Sequence, residues 1–186
     1  RESDDIILVQ SVITSIDPDA HVMYLKDNNP IDYAYLIVAL GSEPWFGNVV
    51  NAPLFCFPFS SVQDVFRMRA RLNKLLRATS SHITIIGAGM LGCDIAGALA
   101  CHLMRKKSHM LVTLIEKQDR VIPNLPSRVS SCVSKRLSRL GVRVLANTSI
   151  EAVEREAVLL TSGEAVLRDM TIWAGGTRPP ACVRAL

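Results

Sequence analysis

A short run of strand character, His82 to Ile86, passes without a break into Gly87-Ala88-Gly89-Met90-Leu91-Gly92, a G-x-G-x-x-G turn. Apolar residues then recur at helical spacing. A chain with strand, glycine turn and helix in that order has few options. Gly87 permits a tight turn, Gly89 lets the backbone approach a pyrophosphate closely, and Gly92 lets the helix pack against its strand. Ala88, Met90 and Leu91 complete the cradle. Phosphates would rest on the helix N-terminus, where unpaired amides and the helix dipole favour an anion without any Lys or Arg side chain.

The flanking residues fit this reading. From Cys93 to Leu103 the spacing predicts a helix with Leu91, Ile95, Ala98, Leu99 and His102 facing a sheet. Leu111 to Ile115 has the continuous apolar character of a buried strand and ends in Glu116. Glu116 stands 24 positions after Gly92. That is close to the roughly 20 at which an acid accepts hydrogen bonds from an adenosine ribose. A carboxylate there repels a 2′-phosphate, so NAD(H) is expected over NADP(H), a preference that Lys117 tempers. The alternative for residues 82–116 is an ordinary glycine-rich βα turn in a parallel sheet.

Composition narrows the class. At 186 residues and 49% hydrophobic content the chain is one large domain or parts of two, with ample material for a core. No run of 18 apolar residues occurs, and the opening Arg1-Glu2-Ser3-Asp4-Asp5 is neither a signal peptide nor a membrane span. It does not start with Met, so a piece of a longer chain is expected. Five cysteines (Cys56, Cys93, Cys101, Cys132, Cys182) show no C-x-x-C and no metal-ligand spacing, which suits a reducing cytoplasm and predicts no metal site. Cys93 and Cys101 fall on the helix as small buried hydrophobes, and the nearby helix N-terminus is expected to lower the Cys93 pKa. His21, His82, His102 and His109 form no ligand motif and are expected to be structural or exposed. The net charge of +4 gathers in Arg67, Arg69, Arg71, Lys74 and Arg77, in Arg105-Lys106-Lys107, and in Lys135, Arg136 and Arg139. Solvated helix faces and ends explain these clusters, with anionic lipid as the lesser reading. Nucleic acid is excluded as a partner because aromatic content is only 5% and no stacking motif accompanies the charge.

The pass along the chain predicts strands at 6–16 and 21–26 around a turn at Asp17-Pro18-Asp19, and a buried strand at Tyr35–Ala39 ending at Gly41. An irregular connection covers 44–58, and a helix capped by Ser60 or Ser61 runs to Arg77. After the glycine unit, Pro126 opens a helix that ends at Leu140 and is closed by Gly141. Short strands follow at 142–145, 149–154, 157–160, 164–167 and 171–174. The fold class is α/β: a Rossmann-like domain, βαβαβ plus a β-meander, framed by part of a second domain.

Four stretches carry a family resemblance: Ile31 to Ser42, Ile86 to Ala100, Val112 to Glu116 with Arg120 and Pro123, and Trp173-Ala174-Gly175-Gly176-Thr177-Arg178-Pro179-Pro180. The chain resembles the middle of a flavoprotein of the pyridine nucleotide-disulfide oxidoreductase superfamily, most of all a type II NADH dehydrogenase. The resemblance implies that residues 1–42 are the rear portion of an FAD-binding domain and 43–80 a connection and helix. It makes 81–176 the NAD(H)-binding domain, with 177–186 returning to the FAD domain. It implies crossings at Ala39-Leu40-Gly41-Ser42 and Ala174-Gly175-Gly176, an FAD-binding glycine turn upstream of Arg1, and a quinone-facing, membrane-associating segment beyond Leu186. The implied whole protein is cytoplasmic, peripheral on the inner face of the membrane, and compatible with a homodimer.

The implied chemistry is hydride transfer from NADH to FAD and electron delivery to a quinone. Gly87, Gly89 and Gly92 would hold the pyrophosphate, Glu116 the ribose, and Gly175 and Gly176 would leave room for the nicotinamide. Two positions depart from the family pattern: the usual Ala-Thr-Gly at the first crossing is Ala39-Leu40-Gly41, and a glutamate associated with the nicotinamide end is Asp94. Asp94 either keeps that charge, as the one catalytic candidate, or merely complements the helix N-terminus. A low-molecular-weight thioredoxin reductase is excluded, since 43–82 hold only Cys56. A ferredoxin reductase, a coenzyme A-disulfide reductase and a non-catalytic NADH-binding module stay open.

Overall fold

The computed structural model describes residues 6–78 and 80–186 and divides them into two units. One comprises the chain up to Glu43 with Arg178–Leu186, the other Pro44–Thr177. In the first, β1 (Ile13–Asp17), β2 (Val22–Leu25) and β3 (Ile31–Asp32) form an antiparallel sheet. The expected turn at Asp17 is there: its Oδ1 accepts from the amides of Asp19 and Ala20 at 3.0 and 2.8 Å. A short acid imitates a backbone turn in this way. His21, left-handed at φ 56°, stacks on Tyr33 with ring centroids 5.5 Å apart, a structural role.

Two expected strands differ in this unit. Pairing starts only at Ile13, and Ile6, Ile7 and Leu8 are exposed. Tyr35–Ala39 is not a strand, and Tyr35 and Ile37 are more than nine-tenths exposed. A continuous apolar run marks a strand covered on both faces. Among the described residues the small sheet supplies this segment with neither a ladder partner nor a cover.

From β4 (Glu43–Pro44) the chain enters the second unit. Its elements are α1 (Ala52–Phe55), β5 (Cys56–Pro58), α2 (Val62–Leu75), β6 (His82–Ile86), α3 (Met90–Arg105), β7 (Leu111–Ile115), α4 (Ser127–Arg139), β8 (Arg143–Leu145), β9 (Ile150–Val153), β10 (Ala157–Leu160), β11 (Ala165–Leu167) and β12 (Met170–Trp173). The chain returns through β13 (Thr177–Arg178) to α5 (Ala181–Arg184). In the first unit Arg178 Nε and Arg184 Nη1 both donate to Glu43 Oε1, at 2.9 and 2.7 Å. These two bonds, Arg184 first, hold the Glu43 carboxyl below its usual range.

The centre is a five-stranded sheet ordered β5-β12-β6-β7-β8 whose paired neighbours run parallel. Strand parity sorts its side chains. Ile83, Ile85, Val112, Leu114, Met170 and Ile172 join a core with α2, α3 and α4, whereas Ile86, Ile115 and Trp173 join a second core with the β9–β11 meander and Ala52 of α1. Burial on both faces is why β6, β7 and β12 show no polar–apolar alternation and carry only one buried threonine each, Thr84, Thr113 and Thr171. The 44–58 segment, expected to be irregular, supplies β5, which pairs with β12 through Cys56↔Thr171 and Phe57↔Ile172. Three residues carry no periodic signal, and Pro58 is tolerated because β5 lies at the sheet edge.

The helices begin where their caps dictate. Ser61 Oγ accepts from the Asp64 amide and Asp64 Oδ2 from the Ser61 amide, a closed capping box that starts α2. Pro126 sits at the N-cap of α4, one residue ahead of its expected place, and Gly141 takes the expected left-handed φ of 78°. On α3 the buried face is Gly92, Cys93, Ile95, Ala96, Ala100 and Leu103, while the expected Leu91 and Ala98 are exposed and Leu99 and His102 half-buried. The small residues at 92, 96 and 100 let the helix axis approach the sheet, and that close approach turns Leu91 outward. Among the described residues no helix is long and apolar enough to cross a membrane.

Candidate functional site

The ends of β6, β7 and β12 meet the start of α3 at the glycine turn. Gly87 has φ +96°, and a Cβ there would lie 2.6 Å from the Ala174 carbonyl oxygen. At Gly92 a Cβ would lie 1.8 Å from the Gly87 carbonyl oxygen, so both positions exclude any side chain. Gly89 differs, since a Cβ there would meet nothing within 4 Å. It is the N-cap of α3 and gives the helix no side-chain cap. The first-turn amides of Met90, Leu91 and Gly92 therefore point from the helix end without an intrahelical acceptor.

Three hydrogen bonds lock the turn. Gly87 N donates to the Ile115 carbonyl at 2.8 Å, Ala88 N to Glu116 Oε2 at 2.7 Å, and Ile122 N to the Ala88 carbonyl at 2.7 Å. Ile122 adopts φ +47°, a costly conformation for a β-branched residue, and thereby delivers its amide to the turn. Glu116 is only 7% exposed, and its other oxygen accepts from Gln118 N at 3.0 Å. Its carboxylate thus braces the glycine turn, a role that sequence spacing did not disclose.

These groups open onto a cavity of about 460 Å³ inside the second unit. Of the expected residues, Gly87, Gly89, Glu116, Gly175 and Gly176 line it. Ala88 is buried behind them, Gly92 packs within α3, and Met90 and Leu91 are exposed on that helix. Gly41 belongs to the other unit, with φ +68°. Asp94 is exposed at the fifth residue of α3, beyond the first turn, so complementing the helix end is not its role. Gly175 does more than leave room: a Cβ there would press 2.8 Å from the Trp173 indole.

Several lining residues had no sequence signal. Trp45, Phe46 and Asn48 come from the segment expected to be an irregular connection, and Lys117, Asn124, Thr148 and Ser149 from loops after β7 and β8. Trp173 Nε1 donates to the Trp45 carbonyl at 3.0 Å, and the Phe46 and Trp173 rings lie 5.0 Å apart. Cys93 corrects an expectation: burial first, then the charges of Asp94 and Glu116, push its thiol up to about 11 rather than down. Cys101 is half-buried.

The parallel sheet, the glycine turn at its carboxyl edge and the uncapped helix start define a Rossmann-like α/β fold. A family model described as pyridine nucleotide-disulphide oxidoreductase matches residues 2–183, and the chain belongs to that family. It is 29% identical over 174 residues to the NADH dehydrogenase-like protein YutJ of Bacillus subtilis, covering 94% of this chain and 47% of that protein. It is 24% identical over 179 residues to the type II NADH:quinone oxidoreductase of Haemophilus influenzae, covering 80% of this chain and 40% of that one. The chain therefore spans less than half the length of these relatives. In fold it is similar to the ferredoxin reductase for the CYP199A2 system of Rhodopseudomonas palustris, with a TM-score of 0.82 at 22% identity over 97% of this chain and 44% of the other. It is also similar to NDH2 of Plasmodium falciparum in complex with NADH, with a TM-score of 0.83 at 17% identity over 95% and 42%.

Proposed function

We propose that the cavity beside the glycine turn binds NADH, and that the whole protein is an FAD-dependent NADH dehydrogenase delivering electrons to a quinone. One observation carries the reading: Gly89 alone of the three turn glycines faces open space, directly before three unpaired helix amides. A cradle kept open on its ligand side and packed on its protein side suits a pyrophosphate. The relatives named NADH dehydrogenase-like and type II NADH:quinone oxidoreductase support the same choice.

In this scheme FAD, held by the complete protein, would supply the acceptor for a hydride from bound NADH. This chain's residues do the holding. The amides of α3 receive the pyrophosphate, and Glu116, fixed by Ala88 and Gln118, presents its carboxylate edge toward the ribose. Trp45, Phe46 and Trp173 give the cavity an apolar aromatic lining. Lys117, Thr148 and Ser149 surround the Glu116 side with polar groups. Asp94, exposed on α3, is not among the residues lining the cavity, and a role for it near the nicotinamide rests on the family resemblance alone.

The complete reading frame, expressed and purified, tests the assignment. Co-purifying FAD and NADH oxidation coupled to a soluble quinone are the expected results; absence of flavin, or oxidation of NADH only with ferredoxin or rubredoxin as acceptor, would overturn it. The second outcome is the reading favoured by the ferredoxin reductase likeness. It would leave the NADH site intact and change only the acceptor.

A further inference from the structure

Sequence spacing presents the basic residues after α2 and after α3 as separate solvated helix ends, and the fold brings them together. Arg69 and Arg77 from α2 and its exit turn, and Lys106 and Lys107 from the exit of α3, line one cleft of about 1060 Å³. His102 and His109 stand in the same wall, and Leu72 and Leu76 form an apolar part of it. Among the described residues no acidic side chain lines the cleft. Among the described residues none of these four cations makes a salt bridge or a side-chain hydrogen bond.

Helix capping does not account for them. The Leu72, Lys74 and Leu75 carbonyls at the end of α2 are taken by the backbone amides of Leu76, Arg77 and Ala78, and the His102, Met104 and Leu103 carbonyls at the end of α3 by those of Lys106, Lys107 and Ser108. The side chains remain uncommitted. Two helix C-termini contribute roughly half a negative charge each, against four full positive charges. The cleft is therefore net positive. Lys107 also occupies the left-handed position at φ 52° where a helix exit ordinarily places glycine. Concavity separates this site from the basic face of α4, where Arg136 and Arg139 are simply exposed.

We infer that this cleft is a second anion site, one that takes a ligand bearing two or more phosphate groups. Arg and Lys together suit it, since guanidinium forks and ammonium points both bind phosphate oxygens strongly when not already paired. The site shares no lining residue with the cavity at the glycine turn. It lies at the opposite end of α3, whose 16 residues span about 24 Å at 1.5 Å per residue. A ligand here would leave the NADH cavity free, and the inference does not depend on the function proposed above.

Calorimetric titration of this chain with inorganic tripolyphosphate tests it, with Arg77→Gln/Lys106→Gln as the site variant and Arg136→Gln/Arg139→Gln as a control of equal charge. Saturable 1:1 binding at 0.1 M salt, weakened at least tenfold in the site variant and less than twofold in the control, is the expected result. Equal weakening in both variants would mean a general charge effect, and no binding by the wild type would mean no site; either overturns the inference. A parallel arm uses sedimentation with vesicles of phosphatidylcholine alone and with 30% phosphatidylglycerol. Binding to anionic vesicles but not to tripolyphosphate would make the surface a membrane contact and overturn the cleft. Unchanged circular dichroism of the variants, and unchanged NADH quenching of tryptophan fluorescence, separates failure of this site from misfolding and from failure of the cofactor site.

Discussion

Replacing Gly89 by alanine separates the ligand's side of the turn from the protein's side. Its backbone, φ −67° and ψ −172°, is open to any L-residue, and the added methyl would touch no protein atom within 4 Å. Two small effects on stability oppose each other. Reduced freedom of the unfolded chain stabilises by about 0.4–1 kcal/mol. Loss of a tolerated N-cap residue costs about as much, since alanine caps far less well than glycine. The net change is within about 0.5 kcal/mol of zero. Binding responds differently. The methyl stands about 1.5 Å off the backbone, where a phosphate oxygen must come within about 2.9 Å of the helix amides. Losing one charge-assisted hydrogen bond of about 1.5–3 kcal/mol weakens NADH binding by roughly 10- to 150-fold. Gly92→Ala is the contrast: its Cβ, 1.8 Å from the Gly87 carbonyl, forces α3 off its strand and lowers stability by about 2–3 kcal/mol or more. Urea unfolding and NADH quenching of tryptophan fluorescence read the two effects separately. A Gly89→Ala protein that binds NADH as tightly as wild type would refute the reasoning, and so would one that unfolds as Gly92→Ala does.

Glu116→Ala strands the buried Ala88 amide and is expected to cost about 1–3 kcal/mol in urea unfolding, of which Glu116→Gln restores only a part, since its single carbonyl oxygen can accept from the Ala88 amide or the Gln118 amide but not both. Equal losses in the two variants would remove the bracing role. Asp64→Ala breaks the α2 capping box and costs about 1 kcal/mol at pH 7. Burial works to raise the Asp64 carboxyl, but hydrogen bonds from Ser61 and Ser60 outweigh it and hold the group below 3.8. A lowered folded pKa means the contribution is present above pH 4 and fades as pH falls through the folded value; a wild type–variant gap in Tm that stays constant from pH 7 to 3 would contradict it. Cys132, exposed on α4, is expected to react with a disulfide reagent at pH 8 in the native state, whereas Cys56 and Cys93, raised to about 12 and about 11 mainly by burial, react only on unfolding.

The unit from His82 to Glu116 was legible because its signals are local in sequence. Gly92 is required by the Gly87 carbonyl five positions earlier, and doubly covered strands leave apolar runs broken only by single buried threonines, although the atoms that also keep Gly87 bare belong to distant Ala174. What stayed hidden depends on distant partners. Glu116 was placed by spacing at the site, yet its bond to an amide 28 positions earlier appears only in three dimensions. β5 is too short for a period, and Trp45 enters the cavity because its carbonyl pairs with the Trp173 indole 128 positions away. The phase of α3 was misjudged because apolar size favoured Leu91, whereas close approach to the sheet rewarded Gly92, Ala96 and Ala100. Tyr35–Ala39 shows the converse: a clear strand pattern cannot form a strand where the described residues give it no partner.

Titration of the purified chain with NADH, followed by quenching of Trp45 and Trp173, is the most direct test of the account, because both side chains line the proposed cavity. The account predicts saturable 1:1 quenching by NADH, with NADPH binding at least tenfold more weakly beside the Glu116 carboxylate. Quenching that never saturates, or equal affinity for the two nucleotides, would contradict it.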